Sequence, residues 1–455
     1  MLYPHWLNPG DNSWQMTAAT LVGLMSVPGL VVLYGGVMQK RWSVNSMMLS
    51  FIAFALVLVL WVSYGFKMGF GSPVHLFGGK HSFFSNFVGR PGGVLNHVEE
   101  QRQGKIPNLG AAGVMDFPQS SLVYFQFVFA AITPILMLGS VLGRVNFKAW
   151  IPFVVLWSTC IYTVNAFLIW GGGWFAQKGA IDFSGGYVIH LAAGTSGFVA
   201  AAVIGPRIQQ DRDHFPPNSL LMALAGAGIL WLGWNGFNGG DPYFANADAS
   251  AAILNTNLCT CVSLLVWTIM DSMSYGKPSV VGAINGMIAG LVGITPGAGY
   301  VNGWGAMAIG VITGIVPWIM MNKVQTTALF KKVDDTLCVL STHGVAGLLG
   351  GLAVGIFGCG DMLVYLAPDG DKQAPGINVT GLLYGDSGNQ LLMQVYAAAF
   401  IIVLNVVATF VILKVISIFV SLRMDEATLR VGDDAVHGET AYNFGDGEEI
   451  PAVAE

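Results

Sequence analysis

Charge is what this chain has least of. Only 10% of its 455 residues are Asp, Glu, Lys or Arg, against roughly 25% in a soluble domain, so its surface cannot lie mostly in water. The net charge of −5 comes without any basic block, which removes nucleic acid from the expected partners. Cysteine is scarce too. The five (Cys160, Cys259, Cys261, Cys338 and Cys359) are odd in number and form no CxxC pair, so neither a disulfide framework nor a metal centre is expected. Each sits in an apolar run and reads as a packing residue. Met1 to Ser13 lacks a basic stretch, so no cleavable secretory leader is expected. No motif for a bound cofactor is visible.

What is abundant is hydrophobic residue, 54% of the chain, together with 60 glycines and 13 tryptophans. The mean hydropathy is +0.62. Small residues let transmembrane helices approach closely, and tryptophan favours the membrane interface. Apolar runs long enough to cross a ~30 Å hydrocarbon core fall at 14–37, 44–69, 120–143, 149–170, 185–205, 219–240, 249–273, 279–297, 304–322, 337–359 and 389–421. The expected architecture is therefore an all-α integral membrane protein with eleven spans.

An odd count puts the termini on opposite sides. With the N-terminus outside, thirteen of the twenty Lys and Arg residues fall on the inner side. Five of the other seven lie in or beside the long loop 70–119, where the positive-inside rule has less force. N-out, C-in follows. Residues 1–421 read as one membrane domain and 422–455 as an acidic cytoplasmic tail, with no room for an appended sensor or catalytic domain.

Two segments repeat a pattern. Asp182, His190, Ala193-Gly194 and Gly197 recur at the same spacing as Asp335, His343, Ala346-Gly347 and Gly350, 153 residues later. One copy lies on span five and the other on span ten, which cross in opposite directions. Spans 1–5 and 6–10 thus read as an inverted repeat, with span eleven added. At 1.5 Å per residue each histidine lies about 12 Å deeper than its aspartate, near the midplane. Ionisable residues at that depth are costly and usually functional, and two at matched positions point to a functional role rather than helix packing. Asp182 and Asp335 read instead as helix caps.

The run Asp182-Phe-Ser-Gly-Gly-Tyr-Val-Ile-His190-Leu-Ala-Ala-Gly-Thr-Ser-Gly197, ending at Gly205-Pro-Arg207, resembles the signature segment of the ammonium transporter (Amt/Mep/Rh) family, on its Amt branch. Gly276-Lys-Pro-Ser279, the run Asn285 to Pro296 and the tail His437-Gly-Glu-Thr-Ala-Tyr442 are similar as well. The resemblance covers essentially the whole chain. It implies a homotrimer in the cell (inner or plasma) membrane with one pore per subunit, used for nitrogen uptake. It further implies that NH4+ is recruited at an outer aromatic site of Phe125, Phe129, Trp170 and Asp241. A gate of Phe129 and Phe237 follows, then the twin histidines His190 and His343, with Trp234 and Thr295 along the route. No cofactor is implied, and the tail motif implies a PII-type regulatory partner. Two positions depart from the family's usual pattern. Asp241 follows Phe237-Asn-Gly-Gly where serine is usual, and Asn285 stands where many relatives have a small residue.

Three rival readings differ in what they move. A Rhesus-type facilitator would pass neutral NH3 or CO2, a receptor would sense ammonium without useful flux, and a bis-histidine haem protein would bind a cofactor. The sequon at Asn378-Val-Thr380 is short enough to arise by chance. The physics of the histidine pair favours ammonium. Burial disfavours charge, so both rings are expected neutral, each with one donor and one acceptor nitrogen.

Overall fold

The computed structural model describes residues 4–75, 77, 79, 82–362 and 379–442. Lys80, Lys372, Asn378 and residues 443–455 lie outside the described residues. Ten helices are long and apolar enough to cross a membrane: α1 (Pro9–Val37), α2 (Lys40–Phe70), α3 (Gln119–Leu138), α4 (Phe147–Gln177), α5 (Gly186–Ile204), α6 (Leu220–Gly240), α7 (Ala247–Tyr275), α9 (Gly303–Val324), α10 (Leu340–Phe357) and α11 (Asn389–Ser417). The run at 279–297 forms a shorter apolar helix, α8 (Val280–Ile294). Its 15 residues rise only about 22 Å, less than the span expected there.

Helix starts follow local chemistry. Ser219, Asn246, Ser279 and Asn302 each accept the backbone N–H three residues on, replacing partners that the first turn lacks. In the long loop a small antiparallel ribbon, β1 (Gln103–Lys105) with β2 (Val114–Pro118), leads into α3. Helix α3 is the centre of the bundle, with 89% of its apolar window buried, against 28% for α11. The faces of α2, α6, α7, α9 and α11 keep large apolar side chains such as Phe51, Leu221, Met273, Trp304 and Phe410 exposed, as lipid-facing helices do.

The repeat is visible in hydrogen bonds. Phe183 and Ser184 donate their N–H to the carbonyls of Pro296 and Thr295 at the end of α8, at 3.1 and 3.2 Å. Thr336 and Leu337, 153 positions on, donate to Ser140 and Gly139 at the end of α3, at 3.2 and 3.1 Å. Helix α8 therefore holds the place in the second half that α3 holds in the first, despite its length. The offset between their ends is 156 residues (139 to 295, 140 to 296).

Helices α5 and α10 cross at their glycines. A Cβ on Gly194 would collide with the backbone of Gly344, one on Gly347 would press on Gly186 and His190, and one on Gly351 would strike Tyr187. Numbers rise on one helix as they fall on the other, so the pair runs antiparallel. At the base of this crossing Arg144 is fully buried. Its guanidinium donates to the Gly205 carbonyl at 2.8 Å, to Thr336 Oγ1 at 2.5 Å and to the Asp334 carbonyl. Arg207 closes on the Asp334 carboxylate with two bonds of 2.8 and 2.9 Å. The start of each His-bearing segment is thus tied to the other half.

The tail folds back on the same end. Asp433 accepts the N–H groups of Val44 and Asn45 at 2.8 Å each, near the start of α2. Burial raises its carboxyl to about 6 against the pull of those two bonds.

Candidate functional site

Each histidine sits in a π-helical turn, Gly186–Leu191 in one half and Leu340–Val345 in the other. Such turns are rare and concentrate at functional sites. What positions them is the aspartate upstream. Asp182 accepts the N–H groups of Gly185, Gly186, Tyr187 and Val188 at 2.6–3.0 Å. Asp335 accepts those of Val339 and Leu340 at 3.1 and 2.9 Å. Both carboxylates are buried, and each satisfies the orphan donors of its helix start.

The two imidazoles meet at Nδ1, 3.2 Å apart. Their rings lie 5.3 Å apart at an interplanar angle of 22°. With each Nδ1 engaged by the other ring, the Nε2 atoms face opposite ways along the pair. His190 Nε2 is buried without a hydrogen-bond partner among the described residues, and Trp234 stacks on its ring at 5.2 Å. The Trp234 Nε1–H is held by Thr295 Oγ1 at 2.9 Å. Beyond His190 stand Phe129 and Phe237, stacked at 4.2 Å and 15°. Phe129 lies mid-way along α3, while Phe237 lies near the end of α6.

On the side away from the tail, a cavity of about 410 Å³ is lined by Trp170, Asp182, Asp241, Tyr243 and Tyr300. Trp170 meets Phe129 edge-on at 6.0 Å, and its Nε1–H donates to the Asp182 carbonyl at 2.6 Å. Phe125 packs beneath, 4.8 Å from Phe129, and is fully buried. Asp241 is 7% exposed, and its Oδ2 has no hydrogen-bond partner among the described residues.

On the tail side, a second cavity of about 230 Å³ reaches His343 and is lined by Tyr34, Asn285, Met321 and Cys338 among apolar side chains. The repeat explains the difference between the two approaches. The 156-residue offset carries Phe129 onto Asn285 (129 + 156 = 285). Where one half places a ring stacked on Phe237, the other places an amide beside a cavity.

A sequence model of the Ammonium Transporter Family matches residues 13–442. The chain belongs to that family. Ammonium transporter 2 of Arabidopsis thaliana is 53% identical over 453 residues, taking in 99% of this chain and 92% of that protein. Ammonium transporter 3 member 1 of Oryza sativa subsp. japonica is 48% identical over 476 residues, taking in 100% and 91%. The crystal structure of Saccharomyces cerevisiae Mep2 matches with a TM-score of 0.79 at 27% identity, covering 93% of this chain and 89% of that one. The chain is thus a multi-pass membrane transporter for ammonium rather than an enzyme.

Within this ammonium transporter, His190, His343, Trp234, Thr295, Phe129 and Phe237 come together in one column. Trp170, Asp182 and Asp241 line the cavity above it, and Phe125 supports the column from behind. Tyr243 was not foreseen. It lines the same cavity, with its hydroxyl receiving Gln126 Nε2–H at 2.8 Å. Its place two residues after Asp241 is a usable signal. The packing role expected of the cysteines holds for Cys259 and Cys359, which are buried. Cys160 and Cys261 are exposed on their helices instead, and Cys338 borders the tail-side cavity. All five are free thiols.

Proposed function

We propose that the chain takes up NH4+ at the cavity away from the tail, passes ammonium through the phenylalanine pair and selects it at the twin histidines. The membrane orientation is N-out and C-in, with eleven spans, residues 1–421 forming the membrane domain and 422–455 the cytoplasmic tail. The assembly is a homotrimer in the cell membrane, open to a PII-type regulator at the tail. The observation that carries this reading is the 3.2 Å contact between two buried imidazoles, placed between a stacked aromatic pair and a cavity open to the tail side.

The chemistry runs in order. A weakly hydrated cation exchanges water for aromatic faces at about 0.5–2 kcal/mol per contact, which Trp170 and Phe129 offer. The unpartnered Asp241 oxygen takes a hydrogen bond from the ion and adds roughly 1–4 kcal/mol at about 4 Å. Asp241→Asn is therefore expected to raise the half-saturating ammonium concentration about tenfold, the equivalent of 1.4 kcal/mol. An unchanged value in concentration-dependent uptake would return Asp241 to a turn role.

The stacked pair excludes hydrated ions by the cost of stripping their water. Replacing Phe129 and Phe237 together with alanine is expected to alter ammonium flux or admit hydrated K+, read as current across a reconstituted membrane. Full retention of both flux and K+ exclusion would show that the rings are packing only. Net charge moved per ammonium tests the function as a whole. A current accompanying uptake supports this reading, and electroneutral uptake supports a Rhesus-type gas facilitator.

A further inference from the structure

The tail-side cavity sets two soft donors that ammonium conduction does not use, Cys338 and Met321, beside one that it does, His343. Three soft donors border its volume of about 230 Å³: the Cys338 thiol, the His343 imidazole and the Met321 thioether. His343 is 6% exposed. Its Nδ1 is engaged by His190, while its Nε2 has no hydrogen bond among the described residues. Met321 Sδ meets only a weak donor, Asn285 Nδ2 at 3.6 Å. Cys338 is half-buried with a free thiol and a backbone φ of 54°, a conformation that side-chain-bearing residues seldom adopt. It is held there by a bond from its N–H to the Asp335 carbonyl at 3.1 Å.

Most of the remaining lining is apolar, including Leu30, Leu33, Ile284 and Ile288. A hard cation would find few oxygens to replace its water, whereas thiolate, thioether and imidazole suit a soft one. We propose that this cavity is a binding site for a thiophilic monovalent d10 cation, of the Cu+ or Ag+ class, held by Cys338 with His343 and Met321, and that its occupation stops conduction. Binding replaces the thiol proton with the metal, so Cys–SH and M+ give Cys–S–M and H+, and the proton leaves to water. No redox change is involved. Met321 comes from α9, Cys338 from the turn before α10 and His343 from the first turn of α10, so the ion would bridge two elements at the mouth of the pore. The binding stands on these donors alone, while the block of current rests on the proposed conduction path.

The test uses full-length protein in liposomes with one Ag+ per chain as the probe. N-ethylmaleimide labelling of each cysteine is read by peptide mass, and ammonium current is recorded in parallel. Ag+ is expected to cut Cys338 labelling at least about tenfold while Cys160 and Cys261 label as before. His343→Gln and Met321→Leu should each weaken that protection by about tenfold, as loss of a metal partner does. Current should fall with Ag+, recover with dithiothreitol, and be insensitive to Ag+ in Cys338→Ser and in Cys338→Asn, the latter chosen because asparagine tolerates positive φ. Unprotected Cys338 overturns the site. Protected Cys338 with undiminished current keeps the site and overturns the block, and with it the placing of this cavity on the conduction path.

Discussion

Alanine in place of either His190 or His343 is expected to lower ammonium-driven current about tenfold to a hundredfold, the loss of one hydrogen bond worth roughly 1.5–3 kcal/mol to a charged group. The reason lies in the Nδ1 contact of 3.2 Å. A neutral imidazole has one donor and one acceptor nitrogen, so one ring donates at Nδ1 and the other accepts. The donating ring then presents a bare Nε2 and the accepting ring an Nε2–H. Ammonia can donate to the first and accept from the second. A proton taken at one Nε2 can be passed through the Nδ1 contact and released at the other, since the ring that becomes imidazolium is stabilised by its neutral partner. Alanine at either position removes one end of that arrangement and leaves the surviving ring without its Nδ1 partner. The check is transient current on proteoliposomes, with trimer assembly confirmed first. Normal current in both variants would assign the histidines to helix packing.

The second large effect is structural. Gly194→Ala is expected to yield a destabilised protein with little conduction. A Cβ there meets the Gly344 N and Cα, both backbone atoms that no rotamer change can move. Overpacking costs about 1–3 kcal/mol where neighbours can shift, and here the whole of α10 must retreat. That retreat also pulls His343 from His190, because Gly344 is its chain neighbour. Gly228→Ala is the control, since a Cβ at Gly228 has nothing within 4 Å and alanine favours the helix by about 0.5–1 kcal/mol. Thermal unfolding in detergent separates the two. Equal stability of both variants would show that the crossing is not tight at Gly194.

Much of this was legible before any coordinates. The apolar runs marked every long helix because lipid leaves few alternatives to an uninterrupted apolar segment. The Asp-His-Gly pattern pointed at both imidazoles because their spacing depends only on one helix at a time. Other features depend on how separate elements meet. Helix α8 has an apolar run of full length at 279–297, yet only Val280–Ile294 is helical, since the residues after Ile294 turn to receive Phe183 and Ser184. The grouping of Met321, Cys338 and His343 joins two helical residues with one from the turn before α10, and no local pattern links them. The π-helical turns around the histidines were hidden for a different reason. Their hydrogen-bond register has no distinct signature in an apolar run.

Selectivity is the claim on which the account turns, and one measurement addresses it directly. Reconstituted protein on a solid-supported membrane is pulsed with NH4+ and with K+, for the parent chain and for His190→Ala/His343→Ala. The account predicts current with NH4+ and none with K+ in the parent chain. In the double variant it predicts a collapsed ratio, through loss of the NH4+ current, appearance of a K+ current, or both. An assembled double variant that still carries NH4+ at the parent level and still rejects K+ would contradict it.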